Sequence, residues 1–162
     1  MRGFVLFAIG LMVGAAVQVP LAQSETPGVV MMNHVGIRVP NMEEAIEYYT
    51  QKMGYRVAFR ANNPQGQLQL AYLHVSQNTF LELGQASAQA PAGFTHYGLQ
   101  VENVMAAADM FGQRGLEVED VRRSGPTGAM LSNIIDPYMG RIELVEYTPE
   151  SLHLKAVNSW KP

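Results

Sequence analysis

The chain carries the same text twice, and this limits its folds more than any other feature. Shifted against itself by 62 positions, His34 meets His96, Gly36 meets Gly98, Val39 meets Val101, Asn41 meets Asn103 and Tyr49 meets Phe111. After one gap the shift becomes 61, and Gly54 meets Gly115, Val57 meets Val118 and Glu82-Leu83 meets Glu143-Leu144. Self-similarity of this kind marks one supersecondary unit used twice, and two copies join most simply as a pseudo-symmetric pair within one domain.

The order of elements inside the unit follows from its periodicity. Asn33 to Val39 and Thr95 to Val101 alternate as half-buried strands do. Period two puts Val35, Ile37 and Val39 on one face with His34, Gly36 and Arg38 on the other; Tyr97, Leu99 and Val101 oppose His96, Gly98 and Gln100 in the same way. Asn41 with Glu44 opens a helix that carries Met42, Ala45, Ile46, Tyr49 and Met53 and stops at Gly54. The second copy runs from Asn103 through Val104, Ala107, Ala108 and Phe111 to Gly115. Strands are expected at Tyr55 to Arg60, Gln67 to Val75 and Thr79 to Leu83, and again at Leu116 to Val121, Ala129 to Ile135 and Arg141 to Glu146. The unit is βαβββ and the fold class α+β: paired modules at 31–90 and 91–148 within one domain, with a tail at 149–162.

Leu81, Leu83, Ile142 and Leu144 should pack against the helices, which turns Glu82 and Glu143 toward the face that bears the histidines. Two imidazoles and two carboxylates then share one surface. Buried carboxylates are costly without a counter-charge, and a divalent cation supplies one. His34, Glu82, His96 and Glu143 are therefore candidate metal ligands. With no Cys in the chain, thiol catalysis, disulfides and Cys-ligated zinc are excluded. A balance of 11 Lys and Arg against 14 Asp and Glu, with no basic block, gives no footprint for nucleic acid.

Arg2 precedes an apolar run from Gly3 to Val17, shorter than the ~20 residues a membrane span needs and suited to a secretory signal. Residues 1–24 are read as that signal and 25–30 as a linker, which places the domain in the periplasm or outside the cell with no stable membrane span after processing. An uncleaved N-terminal anchor is the other reading.

The stretches His34-Val35-Gly36-Ile37-Arg38-Val39-Pro40, Glu44-Ala45-Ile46-Glu47-Tyr48-Tyr49, Met53-Gly54-Tyr55, Gly93-Phe94-Thr95-His96-Tyr97-Gly98 and Asp136-Pro137-Tyr138-Met139-Gly140-Arg141-Ile142-Glu143-Leu144 resemble the vicinal oxygen chelate superfamily. This is the family of glyoxalase I, extradiol dioxygenases, methylmalonyl-CoA epimerase and the bleomycin-resistance proteins, and the likeness spans 31–147. It implies two βαβββ modules that form a cup-shaped mixed sheet around one divalent ion (Zn, Ni, Co, Mn or Fe), with His34, Glu82, His96 and Glu143 at the four ligand positions of glyoxalase I.

The resemblance further implies a substrate that chelates the metal through adjacent oxygens, an enediolate stabilised by the ion, Glu143 as base and Glu82 as its pseudo-symmetric partner. Of three positions that hold glutathione carboxylates in glyoxalase I, only Arg38 agrees; Ala86 and Ala92 stand at the others. Arg38 serves either as a grip on an anionic substrate group or as a solvent-facing strand residue. The expectation is an exported glyoxalase-like lyase or isomerase acting on a small molecule, most simply as a homodimer. A bleomycin-resistance-like binding protein and an extradiol-type dioxygenase are the alternatives, the latter opposed by Glu82 in the fourth position. His74 either lines the cup or is structural, and Tyr72, Phe80 and Phe94 are either substrate wall or core. Leu152, Leu154 and Trp160 should pack the tail on the body or on a second subunit.

Overall fold

A computed structural model describes residues 27–161; the signal assigned to 1–24 lies outside the described residues. Strand β1 (Val29–Val39) leads through helix α1 (Met42–Gln51) to β2 (Arg56–Asn62), β3 (Leu68–His74) and β4 (Phe80–Gln85). The second unit follows as β5 (Gly93–Val101), α2 (Val104–Gln113), β6 (Arg122–Arg123), β7 (Met130–Asp136) and β8 (Gly140–Glu146), and the chain closes with α3 (Leu152–Ser159).

Both long helices begin as their sequence demands. Asn41 accepts from the backbone N–H of Glu43 and Glu44 and donates to the Glu44 carboxylate at 2.8 Å, while Asn103 accepts from Ala106 N–H. Gly54 and Gly115 follow them at φ 72 and φ 87, conformations that a side chain disfavours.

The eight strands form one curled mixed sheet in the order β2-β3-β4-β1-β5-β8-β7-β6. Within each unit the first and last strands are parallel, and the two units meet where β1 and β5 pair antiparallel, so the cup closes inside one chain. Helix α1 buries Met42 and Ile46 against Ala71, Leu73 and Leu83 on the convex side; α2 buries Val104, Ala107 and Phe111 against Ile134, Ile142 and Leu144. With both helices on that side, the opposite face of the sheet carries the histidines and glutamates.

Three sequence expectations change. Val29 and Val30, placed in a linker, belong to β1, where Val29 pairs with Val101. The strand expected at Leu116 to Val121 is reduced to a bridge between Val118 and Ile134, and pairing resumes only at Arg122. Backbone bonds from Glu119 N–H to the Asn133 carbonyl and from Ile135 N–H to the Glu117 carbonyl flank that bridge, and Ser132 Oγ donates to the Glu119 carbonyl at 2.6 Å and Asn133 Nδ2 to the Glu119 carboxylate at 2.5 Å. The tail is a helix capped by Ser151; its buried residues are His153 and Ala156, while Leu152 and Leu154 are only half-buried. It starts beside Thr127 of the second unit and packs Ala156 and Val157 on Tyr72, Phe80 and Phe59 of the first, crossing the cup.

Candidate metal centre

The pairing of β1 with β5 explains why each His is followed two residues later by Gly. His34 lies opposite Gly98 and Gly36 opposite His96, so the pseudo-twofold axis passes between Val35 and Tyr97. Each imidazole occupies the space above the facing glycine: a Cβ on Gly98 would stand 2.0 Å from His34 Cε1, and one on Gly36 2.3 Å from His96 Cε1. Glu82 lies beside Gly36 across the β1–β4 pairing, and Glu143 beside Gly98 across β5–β8. One His and one Glu from each unit thus reach the centre of the concave face.

Two register shifts in the seam supply supports that strict alternation hides. The pairing skips Asn33 between Met32 and His34, and skips Thr95 between His96 and Phe94. A bulge of this kind re-aims its extra residue. Asn33 Oδ1 lies 2.9 Å from His34 Nδ1, and Asn33 Nδ2 donates to Tyr147 Oη at 2.7 Å. Thr95 Oγ1 lies 2.9 Å from His96 Nδ1. The sequence reading missed both; the only signal was that Asn33 and Thr95 occupy repeat-equivalent positions just before the histidines.

One nitrogen or oxygen from each of His34, Glu82, His96 and Glu143 lies within 4.8 Å of every other, a group that could hold a metal ion. His34 Nε2 is 2.9 Å from His96 Nε2 and 3.5 Å from an oxygen of each glutamate; His96 Nε2 is 3.4 Å from Glu82 and 3.9 Å from Glu143. Bonds of ~2.1 Å to one ion would space neighbouring donors by about 3.0 Å in an octahedron and 3.4 Å in a tetrahedron, so these separations fit a divalent cation. Two imidazole nitrogens and two carboxylate oxygens also suit such a cation chemically.

The two histidines are prepared differently. His34 directs its Nδ1–H at Asn33, leaving the Nε2 lone pair for the centre. Arg141 Nη2 lies 2.7 Å from His96 Nδ1, and because a guanidinium only donates, the His96 proton sits on Nε2. A metal-binding His96 would instead carry its proton on Nδ1, donate to Thr95 and turn Arg141 away. Burial, opposed by Glu82 and reinforced by His96, drives the His34 pKa down to about 3.

The glutamates differ as well. Burial would raise Glu82, but the His96 hydrogen bond, the imidazole charges and a 2.5 Å bond from Tyr72 Oη bring it to about 2. Glu143 accepts no hydrogen bond among the described residues, and burial together with the charge on Glu82 lifts it to about 6. The position equivalent to Tyr72 is Asn133, whose amide turns to Glu119 rather than to Glu143.

Arg38 is exposed at the end of β1, opposite Gly84 and Gly93, and lies outside the group of four. His74 is structural: its Nδ1 lies 3.1 Å from the Ser76 carbonyl, and its ring packs on Phe80 and Trp160. Tyr72 and Phe80 are buried under α3, whereas Phe94 is 48% exposed.

The family model of the glyoxalase/bleomycin resistance protein/dioxygenase superfamily matches residues 31–144. The chain belongs to that superfamily. It is 27% identical over 123 residues to a probable lactoylglutathione lyase of Synechocystis, covering 70% of this chain and 92% of the relative. It is 26% identical to a lactoylglutathione lyase of Escherichia coli O157:H7, covering 70% and 90%. Among solved structures, a methylmalonyl-CoA epimerase from Mycobacterium tuberculosis superposes with a TM-score of 0.66 at 22% identity, covering 79% of this chain and 95% of the other, which extends the likeness of fold. The superfamily is typically metal-dependent, in keeping with the donor group at the seam.

Proposed function

We propose that the protein is a metal-dependent lyase or isomerase of the glyoxalase I type, acting on a small molecule that presents two adjacent oxygens. The observation that carries this reading is the convergence of His34, Glu82, His96 and Glu143 from two repeated units inside one chain. Similarity to lactoylglutathione lyases supports it. A divalent ion held by these four would polarise adjacent substrate oxygens and acidify the C–H bond next to them.

The chain's own groups divide the remaining work. Tyr72 holds Glu82 in place, so Glu82 serves as an anchored ligand. Glu143, without such a bond and with a basicity nearer neutrality, is the base that takes the proton and returns it to the neighbouring carbon. The low exposure of the group, with no side chain above 15%, keeps bulk water from quenching the transfer. Ala86 and Ala92, where glutathione-binding residues would stand, favour a substrate other than a glutathione adduct. The apolar run behind Arg2 supports export through a cleaved signal at 1–24, and a homodimer would duplicate a site that one chain already completes.

The test is the metal content of the protein purified without chelator, beside His96→Ala and Glu143→Ala. About one divalent ion per chain in the native protein, lost in both variants, is expected from the shared ligand set. Native protein with no bound metal and no metal-dependent rise in Tm refutes the reading and leaves a small-molecule-binding module.

A further inference from the structure

Among the described residues, the buried side-chain atoms that lack any hydrogen-bond partner are Asn133 Oδ1 and both ring nitrogens of His153. Both residues lie beside the group of four. Asn133 stands directly across the β7–β8 pairing from Glu143, on the same face of the sheet. Its Nδ2 is tied to Glu119, which orients the amide and leaves Oδ1 over. His153 is carried across the cup by α3 and packs edge-on against Tyr72, with ring centroids 4.7 Å apart; Tyr72 in turn donates to Glu82. The two residues therefore lie to either side of the centre, Asn133 next to Glu143 and His153 one ring beyond Glu82.

The seat of His153 is made of rings. Tyr147 stacks on it at 5.0 Å, and Phe59, Tyr72 and Phe80 meet it edge-on. Such a box suits a phenylalanine, and an imidazole buried there with two unsatisfied nitrogens destabilises the fold. Two buried ring nitrogens without a partner point to a ligand that meets them.

We infer that Asn133 and His153 contact the substrate and select a hydroxyl-bearing one, an inference that rests on the metal-dependent reading above. Asn133 Oδ1 can only accept, so its partner must bring a donor. A neutral imidazole offers one donor and one acceptor, and a hydroxyl satisfies either. A bare carboxylate arm, which only accepts, leaves Asn133 unpaired. Burial holds the His153 pKa down to about 4, so the ring is neutral at physiological pH.

The experiment uses the cobalt-loaded protein with metal content measured on every sample. Acetohydroxamate is compared with glycolohydroxamate and 3-hydroxypropionohydroxamate, which chelate through the same two oxygens and add a hydroxyl one or two carbons away. Wild type should bind at least one hydroxylated probe about fivefold more tightly than acetohydroxamate, the size of a neutral hydrogen bond. His153→Phe and Asn133→Leu should each reduce that preference while metal content and acetohydroxamate affinity hold, and His153→Gln should keep it. His153→Phe should also leave Tm unchanged or raised, which a structural imidazole would not allow. The inference falls if wild type retains metal and binds acetohydroxamate without preferring either hydroxylated probe, or if the preference survives His153→Phe and Asn133→Leu. A fall in Tm on His153→Phe with unchanged binding overturns it equally. A wild-type protein that retains no divalent ion refutes the metal-dependent reading itself, and this inference with it.

Discussion

Replacing Gly98 by Ala adds one methyl group at the point where the two units are sewn together. That Cβ would lie 2.0 Å from His34 Cε1, 2.3 Å from Nδ1 and 2.7 Å from Nε2. Ordinary carbon contacts are ~3.5–4.0 Å, so the imidazole must retreat by roughly 1.5 Å. It has nowhere near to go: His34 is 2% exposed, bonded to Asn33 and set edge-on to Tyr72 at 5.6 Å. Metal–ligand distances tolerate about ±0.2 Å, so the displaced Nε2 no longer serves as a ligand. Overpacking of this kind costs about 1–3 kcal/mol, enough to lower Tm by a few degrees without unfolding the domain. Gly36→Ala should repeat the result through His96, whose Cε1 would be 2.3 Å from the new carbon. Gly84→Ala is the internal control, since its nearest neighbours beyond the adjoining chain are 3.9 Å away and the substitution meets only ordinary contact. None of the three glycines has a positive φ, so the comparison isolates sterics from backbone strain. Elemental analysis and thermal melts of the three variants are the assay. A Gly98→Ala protein that keeps wild-type metal content and Tm refutes the placement of His34 over that glycine.

Two further outcomes follow from the buried histidines. His153 has its pKa lowered from 6.5 to about 4, so between these values the unfolded chain holds a proton that the folded chain refuses. This proton costs the fold nothing above pH 6.5, and stability is lost as pH falls from there toward 4; a shift of about 2.5 units is worth ~3 kcal/mol. Denaturant melts of the metal-free protein from pH 7 to pH 4 should therefore fall more steeply for wild type than for His153→Phe, and parallel curves would contradict the burial assigned to this ring. Arg141→Leu removes both the donor that holds the His96 proton on Nε2 and a positive charge beside the centre. Its metal affinity, measured by chelator competition, should rise about tenfold, the worth of a charge-assisted bond, and a fall would refute the tautomer argument.

The group of four was legible in the sequence because it depends only on alternation and repetition. Period two fixes which strand residues share a face, and the repeat doubles each of them, so His34, His96, Glu82 and Glu143 needed no knowledge of strand order. The supports of the group were not legible, since they depend on how strands pair. Strict alternation sends Asn33 and Thr95 to the convex side; only the bulges in the β1–β5 seam return them to the imidazoles. Helix α3 escaped for a different reason. Eight residues span barely two turns, too few for a periodic pattern, and its buried face is made of His153 and Ala156 rather than of leucines.

Duplication alone would build a centre in which both halves behave alike, and two equivalent carboxylates make a better cage than a catalyst. What separates them here are departures from the repeat. Tyr72 donates to Glu82, whereas its counterpart Asn133 turns from Glu143 to Glu119; His34 Nδ1 meets Asn33, whereas His96 Nδ1 is shared between Thr95 and Arg141. The first pushes the two glutamates toward unmatched protonation and the second sets the two imidazoles in different tautomers, and acid–base chemistry requires such a difference between neighbouring carboxylates. Asn133→Phe, which removes the orphaned amide oxygen on the Glu143 side, and Tyr72→Phe, which releases Glu82, would therefore act on opposite halves of one centre. Their effects should be unequal where the repeat by itself would make them the same.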